Sequence, residues 1–343
     1  MSTKTYDASK LQVYGSAAAG HDGVLSDESG AVVVKPCTEA EISFYESVNA
    51  SHPDLAVHLP TFMGQLSVSA DQSTTVDTGV IEAADGTVQR LHGKQLATDL
   101  HIVLANITHG FKKPNVLDLK LGAQLWDEAA KPEKRARLDA VSEKTTSSSL
   151  GFRIAGMRTW IGDNSPDIPA DLKEFVDFDK ETGYLVYNKM YGRKFSTEDI
   201  DKGFSEFILP EANLADDHVY LDRAREVLSY FLGEVKDIQK VFESKESRMY
   251  GASILLVYEG DLDEYNKTRT TLASMSSKQD DEGDDEDEDE NLPKLAAVKM
   301  IDFAHATWHP GQGPDENAIR GMRSTVKILD KFLNDLEKKQ GAK

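Results

Sequence analysis

Cysteine is nearly missing: Cys37 stands alone in 343 residues. That excludes an internal disulfide framework and a cysteine-based zinc cluster, and it suits a reducing compartment, here nucleus and cytoplasm. Long apolar runs are missing too. The longest lies near Ile254, Leu255, Leu256 and Val257, far short of the ~20 residues that span a bilayer. Residues 1–10 carry no apolar h-region, so neither a secretory signal nor membrane insertion is expected. A G-x-x-x-x-G-K-[ST] loop and a regular βαβα alternation are absent, which argues against the P-loop kinases. Basic charge is scarce: 39 lysines and arginines face 59 acids, a formal charge of −20. At first this argues against polyanionic partners, and direct nucleic-acid binding is not expected.

The acidity is uneven. Ten of the eleven residues from 280 to 290 are acidic and none is basic. Half of the excess sits in that run, so it says little about any cleft. The surrounding residues 267–293 read as a disordered loop within the domain, because they cannot bury apolar surface.

What is present has a clear order. Residues 11–35 read as short strands separated by Gly20, Gly23 and Gly30. Thr38 caps a helix over 39–48, with Glu41 at the capping-box position. Strand patterns follow at 60–68, 101–107 and 115–121, with a polar hairpin or insert at 69–94. Leu221, Ala224, Leu228, Phe231, Val235, Ile238 and Phe242 form one stripe of a long helix. Ile319, Met322, Val326, Leu329, Leu333 and Leu336 form another. Both read as core-packing helices, and they enclose strands at 252–258 and 297–303. The order predicts an α+β, two-lobed fold, with a small antiparallel-sheet N-lobe at 1–105 and a larger mixed C-lobe at 106–343.

Several residues could carry chemistry. The small residues at 17–23, including Gly20, allow backbone amides to approach phosphate oxygens. Lys35 ends an apolar strand and Glu41 lies on the next helix; a strand lysine held by a helix glutamate grips ATP phosphates in protein kinases. The same residues also describe an ordinary turn and an exposed strand end. Asp118 and Lys120 are two apart on a strand, so they share a face. A carboxylate there accepts a hydroxyl proton while the lysine offsets phosphoryl charge; the alternative is a surface ion pair. Asp302, in Asp-Phe-small after a strand, is like the magnesium-binding Asp of protein kinases, and His305 would face the substrate. Over 131–158, seven basic residues outnumber three acidic ones. Such a patch concentrates anions, or is simply a solvated helix face. Lys134 and Arg137, three apart on a predicted helix after Pro132, are the pair best placed to face one way.

Together these segments resemble the inositol polyphosphate kinase family. Its hallmark P-x-x-x-D-x-K-x-G is met by Pro114, Asp118, Lys120 and Gly122. SLGFRIAGM at 149–157, YGR at 191–193, ASIL at 252–255 followed by YEG at 258–260, and IDFAH at 301–305 follow in the family's order. The resemblance covers residues 19–333 apart from 69–94 and 267–293, and it points to the fungal multikinase type. It implies the two-lobed, protein-kinase- and ATP-grasp-like fold, with ATP and Mg2+ as cofactors and inositol phosphates as substrates. It implies Asp118 as base, Lys120 at the reacting hydroxyl, Asp302 on Mg2+, and Lys35 with Glu41 on ATP. Residues 104–107 would form the hinge, with Asn106 and Ile107 meeting the nucleotide. Arg158, Lys189 and His305 would join Lys134 and Arg137 on the inositol phosphate. Residues 123–148 would be the inositol-binding segment. Their shortness favours an open site for several hydroxyls over a selective trisphosphate 3-kinase or a hexakisphosphate kinase. Fungal members of the family also suggest a second, regulatory role, with nuclear transcription factors as partners of the acidic loop.

Overall fold

The computed structural model describes residues 11–15, 23–67, 80–82, 88–90, 100–163, 166–210, 218–279 and 293–341. Gly20, the acidic run at 280–290 and most of the 69–94 insert lie outside the described residues.

The chain opens with a small sheet. β1 (Gln12–Val13), β2 (Leu25–Ser26) and β3 (Val32–Pro36) lead to helices α1 (Glu39–Ser51) and α2 (Pro53–Ala56). β4 (Phe62–Ser67), the pair β5 (Val80–Glu82) and β6 (Val88–Arg90), and β7 (Leu100–Ala105) follow. β1-β2-β3-β7-β4 form one antiparallel sheet and β5-β6 a separate hairpin. Thr38 caps α1 by accepting from the Glu41 amide at 3.2 Å. The expected reciprocal contact is not made. The Glu41 side chain turns instead to Lys35 and to the Phe303 amide, because two buried donors compete for it.

β8 (Pro114–Leu121) begins the larger unit. α3 (Pro132–Glu143), α4 (Thr146–Leu150), β9 (Phe152–Trp160), β10 (Val176–Asp179), β11 (Tyr184–Tyr187), α5 (Lys189–Arg193), α6 (Ile200–Ile208) and α7 (His218–Glu243) come next. β12 (Ser247–Met249), β13 (Ser253–Glu259), α8 (Leu262–Gln279), β14 (Ala296–Ile301), β15 (Ala306–Trp308) and α9 (Glu316–Gly341) complete it. Its sheet, β10-β11-β9-β8-β13-β14, is antiparallel throughout. Period-two alternation sorts each strand into two faces. Leu117, Leu119, Leu121, Phe152, Ile154, Met157, Ile254, Leu256, Val298 and Met300 enter the main core, which α6, α7 and α9 cover. Val116, Asp118 and Lys120 lie on the other face.

The sequence pattern placed α3, α7 and α9 correctly, while α8 corrects the reading of a disordered loop from residue 267. The helix continues to Gln279. Asp261 accepts from the amides of Asp263 and Glu264, and Tyr265 is buried with its hydroxyl on Glu226 at 2.8 Å. A capped first turn with one buried aromatic supports polar turns that have no stripe of their own.

Candidate active site

Three charged groups meet where the two sheets face each other. Lys35 Nζ lies 2.9 Å from Glu41 Oε1 and 2.8 Å from Asp302 Oδ1. Burial alone would lower the ammonium's proton affinity; the Asp302 and Glu41 carboxylates outweigh it and hold the lysine firmly charged. Glu41 Oε1 also accepts from the Phe303 amide at 3.2 Å, so one carboxylate ties β3 and α1 to the loop after β14. Asp302 has φ 68°, the only positive φ outside glycine among the described residues. Such a residue costs about 1–3 kcal/mol and persists where its surroundings hold it. Here Phe303, fully buried, stacks on Phe44 at 4.8 Å and meets Tyr45 edge-on at 5.5 Å.

Asp118 sits at the centre of the large sheet, opposite Gly156 and Leu255. It is 4% exposed, and its Oδ1 has no hydrogen-bond partner. Burial, opposed by Lys120 and aided by Asp302, pushes its pKa up to about 6. Lys120 Nζ donates to the Gly251 carbonyl at 2.7 Å. Gly251 has φ 74°, and a Cβ there would lie 3.3 Å from Lys120 Cε, so glycine permits this approach. Gly122, last in the hallmark motif, has φ 95° and abuts Asn317, which binds the amides of Ala123 and Gln124.

Arg153 is the residue that sequence reasoning missed. It faces Lys120 across the sheet because β9 bulges at Ala155: Asp118 pairs Gly156, while Leu119 pairs Ile154. Without that extra residue Arg153 would oppose Leu121 and point into the core. It is 8% exposed and donates to Ser147 Oγ at 3.0 Å. Burial, and Arg193 after it, push Arg153 down to about 10, with Asp118 opposing. Arg193, on α5, has a buried Nε without a partner. Both arginines lie inside quoted motifs, GFR and YGR, and that was the available signal. Lys120 and Arg153 thus flank one carboxylate, and Arg193 lies near Arg153. A buried carboxylate beside a held lysine and a buried guanidinium can accept a proton and offset negative charge next to it.

The sequence model of the family described as inositol polyphosphate kinase matches residues 101–330. The chain belongs to that family. The inositol polyphosphate multikinase of Saccharomyces cerevisiae is 31% identical over 351 residues, covering 92% of this chain and 96% of the yeast protein. That of Schizosaccharomyces pombe is 29% identical, covering 95% and 99%. The crystal structure of the S. cerevisiae inositol phosphate multikinase Ipk2 in complex with ADP and Mn2+ superposes with a TM-score of 0.63 at 29% identity, over 89% of this chain and all of the yeast chain. The two-lobed α+β fold expected from the sequence is therefore found, in an inositol polyphosphate kinase.

The remaining expected site residues of this kinase fall into two groups. His305 Nδ1 lies 2.5 Å from Asp127 Oδ2, which links the loop after β14 to the 123–148 segment. Lys134 and Arg137 lie on α3, and Arg135 turns back onto the carbonyls of Glu128 and Ala130 and the Trp126 ring. Lys189 is exposed at the first position of α5. Ile107, Phe111 and Leu255 pack against the buried Val116, Val257 and Ala297, an apolar bed beyond the end of β7. Asn106 is engaged within the fold. Its Nδ2 donates to the Gly30 carbonyl at 2.7 Å, and its Oδ1 accepts from Tyr14 and Thr108. Arg158 is not gathered with Arg153 and Lys120. It sits opposite Val116, donates to the Gly15 carbonyl and stacks on Tyr184.

Proposed function

We propose that this chain is an inositol polyphosphate multikinase. It transfers the γ-phosphoryl group of ATP to inositol 1,4,5-trisphosphate, and then to the tetrakisphosphate it forms, giving a pentakisphosphate. The observation that carries the reading is Asp118. Its carboxyl is buried, with burial pushing its pKa up to about 6, and keeps one oxygen unpartnered, between the Lys35–Asp302 pair and the Lys120–Arg153 pair. A base with that acidity is largely ionised at pH 7 and still accepts a hydroxyl proton as the oxygen attacks phosphorus. Lys120, Arg153 and Arg193 bind the inositol phosphates and offset charge on the transferred group. Lys35 holds ATP phosphates, and the bed of Ile107, Phe111, Val116 and Leu255 takes the adenine.

Asp302 fits a divalent cation, Mg2+ in our reading. Its carboxylate is held at an unusual backbone angle beside the base and is 23% exposed, and such ions need only one or two carboxylates when phosphates supply the rest. Asp302 would hold the cation, which would supply positive charge to offset that of the ATP phosphates. ADP with Mn2+ in the S. cerevisiae relative's crystal structure supports a nucleotide–metal site of this kind.

The test is incubation of the purified protein with ATP, Mg2+ and inositol 1,4,5-trisphosphate, with products separated by anion exchange. Tetrakis- and pentakisphosphate peaks should appear in sequence and vanish in Lys120→Ala. A single tetrakisphosphate would move the assignment to a selective trisphosphate 3-kinase, and no product would overturn it.

A further inference from the structure

Asp302 holds a backbone angle that persists only where its surroundings keep it in place. The loop it opens is short. β14 ends at Ile301 and β15 begins at Ala306, whose amide closes a turn on the Phe303 carbonyl at 3.0 Å. Trp308 ends β15, and that strand pairs with β12, Ser247 opposite Trp308 and Met249 opposite Ala306. Gly251, two residues after β12, accepts from the Lys120 ammonium. The strand that carries Trp308 is therefore tied to both clusters of the site.

α1, which carries Glu41, lies against this loop. Four rings alternate between the two segments. Phe303 of the loop stacks on Phe44 of α1 at 4.8 Å. Phe44 stacks on Trp308 at 5.3 Å, and Trp308 stacks on His52, the residue that ends α1, at 4.1 Å. A hydrogen bond fixes the third ring in its plane. Trp308 Nε1 donates to Ser47 Oγ at 2.8 Å, and Ser47 Oγ donates in turn to the Phe44 carbonyl at 2.7 Å. Interleaved rings resist sliding, because close packing leaves them no room to yield. α1 cannot shift along β15 without unstacking Trp308, and Phe303 cannot leave Phe44 without moving the Asp302 backbone next to it.

We infer that Trp308 is a positioning residue for the nucleotide side of the site: it locks α1 against the loop after β14 and so keeps Asp302 and Glu41 in register around Lys35. This rests on the kinase reading above. The side-chain type fits the task. An indole offers a broad face to two stacking partners and an N–H that fixes its rotation, and a phenyl ring offers the face alone.

The experiment compares wild type, Trp308→Ala, Trp308→Phe and Ser47→Ala. Three quantities are read: the melting temperature without ligand, the affinity for ADP with Mn2+ by calorimetry, and separate KM values for ATP and inositol 1,4,5-trisphosphate. Without the lock Asp302 relaxes, and the ligand must restore its angle. Trp308→Ala should therefore weaken ADP with Mn2+ about tenfold, the low end of what one strained residue costs, and raise KM for ATP alike. The inositol phosphate KM should stay within about twofold, since no hydrogen bond to that ligand is lost. Trp308→Phe keeps the stack and should lose only a few-fold, as should Ser47→Ala, the scale of one neutral hydrogen bond. These two variants keep the test open if Trp308→Ala does not fold. A lower melting temperature with unchanged affinity for ADP and Mn2+ in every folded variant would make Trp308 a core residue only and overturns the inference. So does an inositol phosphate KM that rises alone or equally; both results leave the kinase reading intact. A wild-type protein that binds no ADP with Mn2+ overturns both.

Discussion

The two halves of the candidate active site are built on opposite plans. At the junction of Lys35, Glu41 and Asp302, one cation lies between two carboxylates. Around Asp118 lie the cations Lys120 and Arg153, with Arg193 next to Arg153, and polar atoms are left without partners. The first cluster is largely self-satisfied and carries excess negative charge, which suits a metal ion bound to a nucleotide. The second is unsatisfied and carries excess positive charge, which suits a polyanion. A protein of formal charge −20 thus keeps a cationic pocket by local arrangement, and its overall charge says nothing about its substrate.

The largest break in this comparison is Asp118→Asn. Turnover should fall by about 10²–10⁴, the usual range for a lost general base, while the thermal shift from ADP stays near wild type. Near-normal turnover would remove Asp118 as the base. In the wild type, kcat should decline as pH falls through about 6, where the Asp118 carboxylate, with its pKa raised by burial, takes up a proton. The same variant should gain stability. A carboxyl whose folded value lies above its unfolded 3.8 contributes stability below pH 4 and loses it as pH rises through 6. At pH 8 the amide removes a buried charge, worth about 2–3 kcal/mol from the size of that shift. At pH 4 the gain should vanish. Melting curves at the two pH values check the sign.

The nucleotide-side cluster should respond in the opposite sense. Lys35→Ala leaves Glu41, 2% exposed, and Asp302 as neighbouring carboxylates without their cation. Breaking a fully buried pair costs about 3–5 kcal/mol. Partial exposure of Lys35 and Asp302 brings the expectation to roughly 2–3 kcal/mol at neutral pH. A lower melting temperature should accompany a raised KM for ATP. If Lys35→Ala were as stable as wild type, the self-satisfied character assigned to this cluster would be wrong.

How much of this was legible in the sequence follows from how each contact is made. Asp118 and Lys120 are two apart on one strand, so period-two geometry joins them without knowledge of the fold. The stripes of α7 and α9 are local in the same way. Arg153 was not legible. Whether it faces Lys120 or the core depends on a bulge at Ala155, and composition does not mark it. The pairs His305–Asp127 and Arg158–Gly15 join residues more than 140 positions apart, beyond any local pattern. Asn106 shows the converse limit. Its place after the strand and its bonds from Thr108, two residues on, are local, but its amide is also taken up by Gly30 and Tyr14, and those two partners appear only once β1–β3 fold against it.

The smallest effect sharpens the comparison most finely. Thr38 and Glu41 have capping-box spacing, and a full box would make the helix cap and the grip on Lys35 compete for one carboxylate. The structure separates them. Thr38 Oγ1 accepts from the Glu41 amide, while the Glu41 side chain serves Lys35 and the Phe303 amide. Thr38→Ala should therefore cost about 1 kcal/mol, the usual loss of an N-cap, and lower the melting temperature by a few degrees. KM for ATP should barely move, since no atom of the Lys35–Glu41–Asp302 cluster is touched. A rise in ATP KM as large as that of Lys35→Ala would mean that the cap, and not the buried charge pairing, holds Glu41 in place. The nucleotide-side cluster would then depend on its helix, as the substrate-side cluster depends on its bulge.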